Sequence, residues 1–152
     1  MTVFETRNPD FERAVRESFA RQAFMKTLGA ELLLVEPGRT EIGLVYDEGL
    51  SQQHGYFHGG VIGTLADNAG GYAAFSLMAD GMTVLTVEYK LNIVAPGRGE
   101  RLIARGQVLR PGRTLTVTRS DIFAVEGGTE TLCATALQTL MCLESAPHRP
   151  AG

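Results

Sequence analysis

Lysine is nearly missing from this 152-residue sequence: Lys26 and Lys90 are the only two, and the other twelve cations are arginines. An excess of positive charge is missing too. Fourteen Lys and Arg face 17 Asp and Glu, for a net charge of −3. That balance excludes a dedicated nucleic-acid binder, which would be basic. Cysteine is scarce, and Cys133 with Cys142 cannot make a disulfide framework. They read as small buried hydrophobes in a reducing compartment. The first twenty residues are charged throughout and lack the apolar core of a secretory signal, so a cytoplasmic location is expected. Residues 59–79 are poor in charge and long enough to cross a bilayer. However, Asp67 and Asn68 sit at their centre, and a mid-bilayer carboxylate costs at least about 2.5 kcal/mol. The stretch is also rich in Gly and Ala rather than Leu and Ile, and reads as a buried helix of a soluble domain.

Hydrophobic residues at 44% and charged residues at 20% suffice for a packed core. The length suits one domain. In residues 8–28, Phe11, Val15, Phe19 and Ala23 recur every fourth position, which predicts an amphipathic helix with Asp10 as a candidate cap. Two β-like runs follow, 31–36 and 40–46, joined by Pro37-Gly38-Arg39. The long helix is expected over 58–78. Beyond Gly81 the period becomes two: Leu85, Val87, Tyr89, Leu91 and Ile93 alternate with mostly polar residues, as in a strand with one apolar face. Further strands are expected over 101–110, 114–125 and 130–141. The signals Pro96-Gly97, Pro111-Gly112 and Gly127-Gly128 between them predict hairpins, hence an antiparallel meander. The fold class is α+β with a single antiparallel sheet.

Asp67 stands out on the long helix. The positions beside it at helical spacing are Gly60, Gly63, Gly70, Gly71 and Ala74, all small. Glycine inside a helix costs roughly 1 kcal/mol relative to Ala, so a close neighbour or a ligand along this face would explain it. Two readings stand side by side. Asp67-Asn68 is either a solvated spot on a half-exposed helix, or a carboxylate in a slot that serves as general base or nucleophile. The helix opens with His58-Gly59-Gly60, and its free N–H groups can hold an oxyanion. Gly59 and Asp67 are eight residues apart, about 12 Å along a helix. If both act on one carbonyl, they come from different subunits, and the protein is an obligate dimer. His54 and His58 lie four apart, but nothing completes a metal site around them, and His58 reads as a residue that shapes the loop.

His58-Gly59-Gly60, Asp67 nine residues after the His, Leu85-Thr86-Val87-Glu88 and Arg110-Pro111-Gly112-Arg113-Thr114 together resemble the PaaI-type acyl-CoA thioesterases of the hotdog superfamily. The likeness runs from about residue 49 to 141. It implies a hotdog fold, with a long central helix wrapped by an antiparallel β-sheet. The division would be an N-terminal helical segment (1–29), the hotdog domain (30–143) and a flexible tail (144–152). It implies homodimers, often paired into tetramers. It also implies thioester hydrolysis by Asp67, with the helix-start amide of Gly59, and Gly60 beside it, polarising the carbonyl from the other subunit. Thr86 would help to position water. Gln52 stands where such proteins commonly carry Asn, six residues before the His. Coenzyme A would lie along Val94 to Arg98 and along Arg110, Gly112, Arg113 and Thr114.

Thioester hydrolysis of this kind requires no metal or organic cofactor. Tyr56, Phe57 and Tyr72 are candidates for lining an aromatic or medium-chain acyl pocket. Two other functions fit the same likeness: a hotdog dehydratase-hydratase acting on acyl-CoA or acyl carrier protein, and a non-catalytic acyl-CoA-binding protein. The arginines are unevenly spread. Residues 98–119 hold six of them against one acid, Glu100. Arg98, Arg110 and Arg113 fall at the expected turns, where a guanidinium can meet the phosphates of coenzyme A bidentately.

Overall fold

A computed structural model describes residues 4–145. The charge-poor stretch is helical from Gly59 to Phe75 (α3), capped by His58, whose Nδ1 accepts the Gly60 N–H at 2.9 Å. Six strands wrap around it: Glu31–Glu36 (β1), Arg39–Val45 (β2), Met82–Ile93 (β3), Arg101–Arg110 (β4), Leu115–Glu126 (β5) and Thr129–Glu144 (β6). They form one antiparallel sheet in the order β1-β2-β4-β5-β6-β3. The core lies between sheet and helix. Ile62, Leu65, Ala66 and Ala69 of α3 meet Ile42, Leu102, Ala104, Ile122, Ala134 and Ala136. Cys133 lies in this core, where burial pushes its thiol up to about 11, so it is an inert filler there. Cys142 is only half-buried. No helix among the described residues is long and apolar enough to cross a membrane.

Three expectations are corrected. The predicted N-terminal helix is two helices, Phe11–Arg21 (α1) and Ala23–Leu28 (α2), because Gln22 between them is extended. Asp10 occupies the cap position but makes no cap bond, and its carboxylate pairs with Arg13 instead. The meander holds for β4, β5 and β6 but not for β3, which crosses to pair with β6 at the far edge. Pro96-Gly97 is therefore not a hairpin turn. The crossing segment is tied to the helix start: Gly97 is buried against Ile62 and Phe57, and its carbonyl accepts the Phe57 N–H at 2.9 Å.

The third correction concerns the faces of β3. Thr86 pairs with Leu140 and Glu88 with Thr139, leaving Val87 as the extra residue of a β-bulge. A bulge shifts side-chain parity by one. Hence Val84 and Thr86 share the helix side with Tyr89, Leu91 and Ile93, while Leu85 turns outward opposite Met141. Strict period-two reading put Thr86 on the wrong face. The last strand, β6, runs to Glu144, and residues 146–152 of the expected tail lie outside the described residues.

Candidate functional site

The inward turn of Thr86 sets its hydroxyl against α3. Its Oγ1 donates to Asp67 Oδ1 at 2.7 Å. Gln138 of β6 approaches from beneath, and its Nε2 lies 3.3 Å from the same Oδ1 and 3.2 Å from the Asp67 carbonyl oxygen. Among the described residues Oδ2 has no partner. The carboxylate lines a cavity of about 250 Å³ walled by Thr86, Val84, Gly71 and Phe75, together with Gln22 and Tyr72. Asp67 is half-buried and doubly hydrogen-bonded through Oδ1.

The glycines of α3 have separate reasons. At Gly70 a Cβ would overlap the Gln138 amide and the Thr118 hydroxyl. At Gly63 it would press within 3.2 Å of the Tyr89 hydroxyl. At Gly71 it would meet nothing within 4 Å, because that position opens into the Asp67 cavity. Close packing thus accounts for two of them, and open space beside the carboxylate for the third.

The helix start faces a different space. A groove of about 520 Å³ is lined by Gln52, Tyr56, Phe57, Gly59, Ile93 and Val94. The Gly60 amide is held by the His58 ring, whereas the Gly59 N–H has no partner among the described residues. Gln52 turns its Oε1 back to the His54 N–H, which shapes the loop ahead of His58. The expected aromatic lining is divided: Tyr56 and Phe57 border this groove, and Tyr72 borders the Asp67 cavity.

The two turns assigned to coenzyme A are also apart. Val94 and Arg98 lie at the helix-start end of the sheet. Arg110, Gly112, Arg113 and Thr114 follow the other end of β4, about 30 Å away at 3.3 Å per residue. Arg98 is paired with Glu126 at 3.2 Å. Arg105 grips Glu130 through two hydrogen bonds, and its neighbour Glu41 through a third. Arg119 pairs with Asp121. Arg110 and Arg113 are exposed and have no ion pair among the described residues, so their charge is available to a ligand.

Several site residues carry no motif. Gln138, which the sequence reading missed, is fully buried between inward-facing Ala136 and Leu140, and a lone amide among inward apolar positions is the signal that would have found it. Gln22 reaches Asn68 at 2.8 Å and Tyr72 at 2.7 Å, and Ser18 shares a hydrogen bond with Tyr72. The break at Gln22 lets the N-terminal segment wall the cavity, which a single continuous helix would not predict.

A model of the thioesterase superfamily matches residues 54–131, the stretch that carries His58, Gly59, Asp67, Thr86 and both arginine-bearing turns. The chain is 48% identical to a thioesterase family protein from Silicibacter pomeroyi, over 89% of this chain and 99% of that one, with a TM-score of 0.87. The 1,4-dihydroxy-2-naphthoyl-CoA hydrolase of Listeria monocytogenes is 28% identical over 92 residues, 60% of this chain and 75% of that protein. The PaaI protein of E. coli, from the phenylacetic acid degradation operon, shares the fold. It has a TM-score of 0.79 at 20% identity, over 91% of this chain and 96% of that one. With the carboxylate, the strand hydroxyl and the wrapped helix in the matched segment, the chain belongs to the thioesterase superfamily and is a hotdog-fold thioester hydrolase.

Proposed function

We propose that the protein is an acyl-CoA thioesterase whose active site is shared between two protomers. One observation carries this reading. The Asp67 carboxylate and the free Gly59 amide open into separate spaces about 12 Å apart on one helix, while the strand between them is an unpaired edge. β3 is 12 residues long and exposes Leu85, Val87, Tyr89 and Ile93 by 44% to 58%. A long apolar edge of this kind invites a second strand. Antiparallel pairing of two β3 strands about a two-fold axis near Tyr89 sets Thr86 of one protomer opposite Ile93 of the other, and Ile93 lines the groove at the helix start together with Gly59. Each Asp67 then faces the partner's Gly59 amide. The same operation brings the Arg110–Arg113 end of one protomer beside the Val94–Arg98 end of its partner, so one ligand can meet both.

The chemistry follows two routes. As general base, Asp67 takes a proton from water, and the hydroxide oxygen bonds to the thioester carbon. As nucleophile, Asp67 bonds to that carbon itself, and water later cleaves the anhydride. Either way the C–S bond breaks, its electron pair leaves on sulfur, and the thiolate gains a proton. The carbonyl oxygen gains charge in both, and the partner's Gly59 amide is a donor for it. In this reading Asp67 supplies the base or nucleophile and the partner's Gly59 amide the oxyanion donor, so the proposed route calls for no metal or organic cofactor. The hydratase reading needs an imidazole beside the carboxylate; His58 and Asp67 cannot meet within one chain, being nine residues apart along one helix, so that reading would have to take the imidazole from the partner subunit. Exposed Arg110 and Arg113 suit the phosphates of coenzyme A. The acyl group is left as aromatic or medium-chain, and a cytoplasmic location fits a coenzyme A thioester substrate.

The test offers the wild-type protein aromatic and straight-chain acyl-CoAs, with free thiol followed and the mass in solution measured. Thiol release by a dimer or larger assembly is expected. Binding without thiol release would favour a non-catalytic acyl-CoA carrier, and a monomer active at micromolar concentration would sink the shared site. In the same assay, Arg113→Ala is expected to raise KM for the CoA ester several-fold and to leave a truncated thioester without the nucleotide unchanged. Equal effects on both would remove Arg113 from the nucleotide site.

A further inference from the structure

Gln138 occupies a place that packing alone would give to an apolar residue. Its side chain is fully buried on the inward face of β6, where an unpaired amide would be costly. Both ends are held. Thr118 Oγ1 donates to its Oε1 at 3.4 Å, and Ser120 Oγ lies 2.9 Å from the same atom and 2.8 Å from the Ala66 carbonyl, sharing its single proton between the two. Both hydroxyls are themselves fully buried. The other end faces two acceptors, the Asp67 carbonyl and Oδ1. Only the amide nitrogen suits that side, because the reversed amide would set oxygen against oxygen. Gly70 keeps the space open, since any side chain there would overlap the amide.

We propose that Gln138, oriented by Ser120 and Thr118, is a positioning residue for Asp67, and that Asp67 Oδ2 is the oxygen that acts on the substrate. Two donors on different strands, Thr86 of β3 and Gln138 of β6, converge on Oδ1. With one oxygen fixed between them, the carboxylate cannot rotate, and the lone pairs of Oδ2 stay free. Oδ2 therefore takes the proton from water, or bonds the acyl carbon, from a fixed direction. A misplacement of about 1 Å at such a group can cost about 100-fold in rate. The inference rests on the reading of Asp67 as the working carboxylate.

Gln138→Met keeps the length and shape of the side chain and removes the donor. In the intact protein, kcat for an acyl-CoA that the wild type hydrolyses is expected to fall 10- to 100-fold, with KM within about threefold. Ser120→Ala is expected to lower kcat several-fold at unchanged KM. The double variant should be no slower than Gln138→Met alone, because both act through one amide. A folded Gln138→Met protein with kcat within twofold of wild type would overturn the proposal, as would losses that multiply in the double variant. If Met is not accommodated at this site, Ser120→Ala alone decides: an unchanged kcat overturns it. Asp67→Ala run alongside separates the two readings. If it stays active, the working carboxylate is misassigned. If it is dead while Gln138→Met is fully active, only the positioning role fails.

Discussion

Asp67→Asn is expected to lower kcat for acyl-CoA hydrolysis by about 10²- to 10⁴-fold, the range that a positioned base supplies, with little change in KM. The substitution is nearly isosteric. The Asn side-chain oxygen can still accept the Thr86 hydroxyl, which binds Oδ1 at 2.7 Å, so the fold and the cavity survive. What is lost is the negative oxygen that has no partner. An amide nitrogen there can neither take a proton from water nor attack a carbonyl. Asp67→Ala removes the acceptor as well and leaves the Gln138 amide donating only to the main-chain carbonyl. It should be at least as slow and also less stable. Steady-state thiol release read beside thermal unfolding separates the two effects. Turnover unchanged in both variants would take catalysis away from Asp67.

Much of this site was legible in the sequence because its signals are local. The carboxylate at the centre of a charge-poor helix, the small residues at helical spacing around it, and the glycines at the helix start all lie within one element. The 12 Å between Gly59 and Asp67 needed only helix geometry. What was missed depends on long-range pairing. The bulge at Val87 arises from the register between β3 and β6, and nothing local to residues 82–93 announces it. The placement of β3 at the sheet edge likewise turns on which strand it pairs with. A Pro-Gly pair reads as a hairpin turn until the strands are known to be strangers. Gln138 lies 71 positions from Asp67, and Gln22 enters the cavity only because the helix before it stops.

Gly106→Ala is expected to damage the fold severely, although no chemistry touches it. Gly106 lies on β4 between Thr40 of β2 and Ser120 of β5. The two flanking hydroxyls reach up to the helix: Thr40 Oγ1 donates to the Ala69 carbonyl at 2.6 Å, and Ser120 Oγ lies 2.8 Å from the Ala66 carbonyl, with its one proton shared between that oxygen and Gln138 Oε1. They draw α3 so close to the sheet that a methyl at Gly106 would lie 2.7 Å from the Gly70 nitrogen and nearer still to the Ala69 carbonyl. Backbone on both sides leaves no side chain to move aside, so the helix itself must lift. Overpacking of this kind costs about 3 kcal/mol, or a fall in Tm of roughly 6–12 °C for a domain this size. Ala66 and Ala69 flank Asp67, so lifting the helix also pulls the carboxylate from Thr86, and kcat should fall with stability. Gly71→Ala is the control. Its Cβ meets nothing within 4 Å, and it should hold or raise Tm, because Ala is the better helix former by about 1 kcal/mol. A Gly106→Ala protein that melts with the wild type would show that the helix does not rest on β4 at this distance.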